Sequence, residues 1–92
     1  MTIIARALYC DRDDVETYEY RIEGRGSEGY ALIHGVAGRD DRETEEIFSQ
    51  EYELRSMLPE VRDGAASYNE AVASLLAQWR QAMVPSLSDL TQ

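Results

Sequence analysis

Polar and apolar positions alternate with a period of two through the first third of the chain, and this periodicity predicts antiparallel strands. In Thr2–Cys10, Ile4, Leu8 and Cys10 alternate with Ala5, Ala7 and Tyr9, so both faces are fairly apolar. That pattern suits a central strand better than an edge. Asp11-Arg12-Asp13-Asp14 reads as a polar turn whose aspartates can bond their own backbone. From Val15 to Glu23 the alternation is clean, with Tyr18, Tyr20 and Ile22 on one face and Thr17, Glu19 and Arg21 on the other. Gly24 to Gly29 forms a flexible hairpin connection, and Tyr30–Val36 reads as a third strand.

The period changes in the second half. Asp40 and Glu43 have the spacing of a capping box, and Glu45 and Glu46 fall in early turns where the helix dipole favours anions. A first helix over about 41–57 follows, ending before Pro59. Its wheel is imperfect, because Glu51 falls amid Ile47, Leu54 and Leu58. The alternative is a break near Ser49-Gln50, with Tyr52, Leu54 and Ser56 alternating as a short fourth strand. A second helix over about 68–84 is better defined. Ser67 and Glu70 repeat the capping-box spacing, and Pro85 stops it. Tyr68, Ala71, Val72, Leu75, Leu76, Trp79, Ala82 and Met83 fall within an arc of about 140° at 100° per residue. The tail 86–92 is polar and expected to be loose.

These elements predict one α+β domain over residues 1–92: a three-stranded antiparallel sheet, or a four-stranded one, packed on one face by one or two helices. The expected core is Ile4, Leu8, Tyr20, Ile22, Leu32, Val72, Leu75, Leu76 and Trp79.

Charge narrows the function more than any motif does. The 92 residues hold 18 acids against nine bases, a formal net charge of −9. All nine bases are arginine, so Schiff-base chemistry and every lysine general base are excluded. Residues 11–28 carry seven acids and three arginines, and residues 40–63 carry nine acids and three arginines. A field of this sign repels DNA, RNA and anionic lipid and attracts basic protein surfaces. Direct nucleic-acid binding and membrane association are therefore not expected. The lone Cys10 leaves no internal disulfide and no cysteine-pair zinc site, and it suggests a reducing, cytoplasmic compartment. Met1-Thr2-Ile3-Ile4 lacks the basic start of a signal peptide, and no apolar run approaches a membrane span.

Four constellations resemble catalytic or ligand motifs and lack the context those motifs need. Gly24-x-Gly26-x-x-Gly29 matches the dinucleotide fingerprint, but a strand rather than a helix follows it. Asp11-x-Asp13-Asp14 opens like a calcium loop, yet Val15, Glu16 and Ile22 stand where such a loop needs a ligand, a glycine and a glutamate. Cys10 and His34 could serve as nucleophile and base only if adjacent strands brought them together. Paired carboxylates need a deep cleft to raise one pKa, and 92 residues leave little wall for one. No cofactor, metal or catalytic role is expected.

The interleaving of tyrosine with acid points to binding instead. Tyr18-Glu19-Tyr20 and Glu51-Tyr52-Glu53 place aromatic rings beside carboxylates, which suit arginine through bidentate pairs and cation–π contact. The expected partner-binding residues are Asp13, Asp14, Asp40, Asp41, Glu43, Glu45, Glu46, Glu51, Tyr52 and Glu53.

On its acid-rich segments Asp11–Glu28 and Asp40–Asp63, the chain resembles small acidic phage-encoded inhibitors of the anti-CRISPR and anti-restriction class. That resemblance implies a nucleic-acid mimic in a bacterial host cell, docking on the basic groove of a nucleic-acid-binding protein or ribonucleoprotein complex. The alternative is a small bacterial interaction or regulatory domain, homodimeric through leftover apolar surface, whose acidity serves only solubility.

Overall fold

The computed structural model describes residues 2–10, 16–39, 44–58 and 66–84. Four strands, β1 (Ile3–Cys10), β2 (Thr17–Gly24), β3 (Tyr30–Val36) and β4 (Thr44–Phe48), form one antiparallel sheet in the order β1-β2-β3-β4. Two helices follow, α1 (Glu51–Met57) and α2 (Ala66–Met83). This is the expected α+β architecture, with the four-stranded form of the sheet.

Register sets the two faces. Ala5, Ala7 and Tyr9 stand opposite Ile22, Tyr20 and Tyr18, which in turn stand opposite Leu32, His34 and Val36. With Tyr30 and Phe48 these residues make the face that the helices cover. Tyr68, Ala71, Leu75 and Trp79, spaced by three, four and four residues, are the buried stripe of α2. The 18 residues of α2 rise about 27 Å, close to the reach of about 26 Å for the eight residues of β1. Ala5 and Ala7 are small, so α2 seats close against β1 and Leu75 is fully buried.

The inner strand face of β1 reverses the expectation. Leu8 is 50% exposed, whereas Ala5, Ala7 and Tyr9 are buried. Strand β1 is also an edge of the sheet and not a central strand. The nearness of α2 explains the choice: alanines admit a helix where Ile4 and Leu8 would hold it off. Of the other expected core residues, Tyr20, Ile22, Leu32, Leu75 and Trp79 are buried, while Ile4, Val72 and Leu76 pack partly buried at the margin.

The second correction lies in the region expected as one helix over 41–57. Residues 44–48 pair with β3 as a strand, and only 51–57 are helical. The fourth strand is therefore Thr44–Phe48 and not the Tyr52–Ser56 segment. Among residues 46–48 Phe48 is the buried one, and it reaches the core by pairing with Tyr30. Helix α1 then buries Leu54, with Leu58 just beyond its end. Its start is set not by Asp40 and Glu43, which lie outside the described residues, but by Glu53. The Glu53 carboxylate accepts the backbone N–H groups of Ser49 (2.7 Å) and Gln50 (3.0 Å). The turn 11–14 and the tail 86–92 also lie outside the described residues.

Aromatic rings fill both ends of the core. Trp79 meets Tyr30 edge-on at 4.6 Å between centroids and Phe48 at 5.2 Å, tying α2 to the β3–β4 hairpin. At the other end Tyr68 meets Tyr9 edge-on at 5.0 Å, and the His34 ring stacks on Tyr20 at 4.3 Å.

Candidate interaction surface

The six described arginines decide where the charge of this chain lies. Arg6 and Arg21 both pair with Glu19, and Arg21 also approaches Glu23 at 3.8 Å. Glu19 and Glu23 are buried on the sheet face away from the helices, beside Ala31 and Ile33. Arg6 and Arg21 stand directly across the β1–β2 ladder, and Glu19 offsets their mutual repulsion. Burial by itself would raise the Glu19 carboxyl, but hydrogen bonds from Arg6 and Arg21, with their charge, outweigh it and hold the group below its ordinary value.

The remaining pairs are nearer the surface. Arg39 approaches Glu16 at 3.7 Å. Glu51 takes Arg55 of its own helix at 3.0 Å and Arg80 of α2 at 2.7 Å, so one carboxylate joins the two helices. Five arginines are thus held by glutamates of the same chain, while Glu28, Glu46 and Glu70 are exposed carboxylates outside these pairs.

The expected binding residues separate into distinct groups. Asp13, Asp14, Asp40, Asp41 and Glu43 lie outside the described residues. Glu45 and Glu46 lie in β4, with Glu46 exposed. Tyr52 projects from α1 with 65% of its surface exposed. Glu51 and Glu53 have internal tasks, an inter-helix ion pair and a helix cap. The cap also holds the Glu53 carboxyl low, because the backbone N–H groups of Ser49 and Gln50 bond its charged form.

The two edges of the sheet differ. Along β1, Gln78 of α2 takes both backbone groups of Arg6: Oε1 accepts its N–H and Nε2 donates to its carbonyl, each at 3.0 Å. Ser67 donates to the Cys10 carbonyl at 3.2 Å. A cleft of about 460 Å³ opens between these two seals, walled by Arg6, Leu8, Ser67, Glu70 and Ser74. Along β4 the alternation of antiparallel bonding turns Glu46 and Phe48 toward β3 and leaves the N–H and C=O groups of Glu45 and Ile47 facing outward. No described residue bonds them. Ile47 is 50% exposed.

Sequence patterning did not reveal the role of Gln78, which looks like an ordinary polar position on a helix wheel, or of Ile47, which looks like part of a buried helical stripe. Ser67, expected at the capping start of the second helix, instead lies within α2 and donates to the Cys10 carbonyl. Thr44 and Ile47, both β-branched, are the available strand signal.

The motif-like constellations resolve into structure. Gly24, Gly26 and Gly29 form a turn closed by a short 3-10 segment between β2 and β3, with no long helix following. Gly29 (φ +111°) backs onto the Phe48 carbonyl, which a Cβ would meet at 2.7 Å. Cys10 and His34 are on opposite faces of the sheet: Cys10 is exposed beside Leu8, and His34 Nε2 lies 2.7 Å from the Tyr9 hydroxyl on the helix side. Among the described residues no cluster of three or more His, Cys, Asp or Glu side chains is arranged to hold a metal ion. No helix among them is long and apolar enough to cross a membrane.

No family model, curated protein or solved structure matches the chain.

Proposed function

We propose that this chain is a small acidic protein-binding module, an inhibitor that occupies the basic nucleic-acid-binding surface of a partner complex. The observation that carries this reading is the disposition of charge. Five arginines are matched to only four glutamates of the same chain, Glu16, Glu19, Glu23 and Glu51, so 14 of the 18 acids remain against four arginines. Glu46 and the exposed ring of Tyr52, on consecutive elements, offer an acid and an aromatic anchor to arginine side chains. The module acts by binding and not by catalysis. Its acidity competes with phosphate for the same cations, in the manner of the phage-encoded inhibitors it resembles.

Affinity capture from a bacterial lysate, followed by mass spectrometry, tests the reading when elution uses duplex DNA or RNA. The expected result is retention of nucleic-acid-binding proteins that nucleic acid releases. Retained proteins that nucleic acid does not displace overturn it. A concentration-dependent homodimer with no captured protein favours the regulatory-domain reading in its place.

A further inference from the structure

We infer that the outer edge of β4 is a docking strand that takes an extended basic segment of a partner protein as a fifth strand of the sheet. This inference deepens the acidic-module reading and rests on it. Its starting point is the contrast between the two edges. Sheets carry unpaired backbone groups at both ends, and folded chains ordinarily block them with lysine, proline, bulges or a covering element. Here β1 has such a block: α2 lies along it, Gln78 bonds both backbone groups of Arg6, and Ser67 bonds the Cys10 carbonyl. Strand β4 has no proline, the chain has no lysine, and no described residue bonds the outward groups of Glu45 and Ile47. Among the described residues, α2 bonds the outer edge of β1 at Arg6 and Cys10, and none bonds the outer edge of β4.

The exposed Ile47 side chain gives an incoming strand an apolar contact next to those groups. Charge then selects the occupant. The TEEIF sequence of β4 contains two glutamates and no base, and Glu46 is exposed. A second copy would bring acid against acid, in molecules that each carry −9. A strand alternating arginine or lysine with apolar residues meets both features, pairing a cation with Glu46 on one face of the sheet and an apolar side chain with Ile47 on the other. Main-chain bonds would supply the geometry, and charge the choice of partner.

The probe is a short peptide of alternating arginine and valine, compared with the same peptide N-methylated on alternate residues so that one edge cannot donate to a ladder. Binding is followed by fluorescence anisotropy and by amide NMR shifts of the unaltered protein. The expected result is shifts centred on Glu45–Phe48 and at least a tenfold loss of affinity on methylation. Ile47→Pro should cause a similar loss at unchanged net charge, because it removes an outward N–H and leaves the β3–β4 bonds in place. Near-UV circular dichroism checks that this variant is folded. Equal binding of the methylated peptide, or shifts elsewhere on the protein, overturns the strand-docking inference while leaving the acidic-module reading standing. Failure of both peptides to bind at low salt overturns both.

Discussion

Gln78 completes the edge of β1 by presenting its side-chain amide to Arg6 as a neighbouring strand would, accepting at Oε1 and donating at Nε2, both at 3.0 Å. Ser74 holds the amide in place by accepting a further bond from Nε2, also at 3.0 Å. Gln78→Leu keeps much of the side-chain volume and removes both edge bonds. At about 0.5–1.5 kcal/mol per bond, the loss should be about 1–3 kcal/mol, read from the midpoint of urea unfolding. A change within experimental error would show that water replaces the amide at no cost.

Leu75 and Leu8 test which face of β1 meets the helix. Leu75→Ala deletes a fully buried side chain between sheet and helix and should cost about 2–5 kcal/mol through lost contacts and a cavity. Leu8→Ala trims a residue that is 50% exposed on the other face, and stability should move by no more than about 0.5 kcal/mol. Equal losses at the two positions would contradict the observed facing of β1.

That pair of leucines also shows what the sequence could and could not convey. The period-two pattern of Tyr18, Tyr20 and Ile22 has one apolar and one polar face, so β2 was legible, and the helical arc from Tyr68 to Trp79 fixed α2 in the same way. In β1 both faces are apolar, and size pointed to Ile4 and Leu8. The alanines won because a helix had to approach them, a tertiary demand with no local period. Residues 44–57 failed for a related reason. A five-residue strand and a seven-residue helix with one buried leucine are each too short to display a period. The acidity of the candidate surface was legible from composition. The division of labour among Glu46, Glu51 and Glu53 was not, because it depends on which arginine or backbone amide each carboxylate meets.

Gly29 and Gly26 both have positive φ, at +111° and +61°, yet differ in surroundings. A Cβ at Gly26 meets nothing within 4 Å, while one at Gly29 meets the Phe48 carbonyl at 2.7 Å. Gly26→Ala should cost about 1 kcal/mol from its backbone conformation alone. Gly29→Ala should cost more, because the β3–β4 pairing at Tyr30 and Phe48 must also yield. Thermal unfolding of the two variants side by side checks the order, and a less stable Gly26→Ala would refute it.

Glu19 gives stability a particular dependence on pH. Its carboxyl is held below its ordinary value near 4.5, so the charged form is favoured in the folded state. The resulting stabilisation is present above that value and is lost as pH falls through the lower folded-state value. Glu19→Gln leaves Arg6 facing Arg21 with no carboxylate between them. It should lower stability near pH 7 by about 1–3 kcal/mol and flatten the decline below about pH 4.5. Urea midpoints measured across that range check both parts. Glu53, held low by two backbone bonds, responds in the same direction and remains in the variant, so some acid sensitivity should persist.

Charge reversal separates an acidic docking surface from acidity that only confers solubility. Glu51 and Glu53 are unsuitable positions, since one joins the helices and the other caps α1. Glu45→Arg combined with Glu46→Arg avoids both and changes the net charge from −9 to −5. Both residues lie on the edge strand β4, where the Glu46 side chain is exposed, and α1 retains its cap, so the fold should survive. Attraction to a basic groove is long-ranged, and the Debye length shrinks from about 30 Å at 0.01 M salt to about 8 Å at 0.15 M. Association of the parent protein with its captured partner should therefore slow steeply over that range, with a smaller effect on dissociation. The doubly reversed protein should bind at least tenfold more weakly at low salt and show a shallower salt dependence. Stopped-flow association rates across a salt series measure both quantities. Parent and variant rates that coincide at every salt concentration would show that β4 does not face the partner's cations.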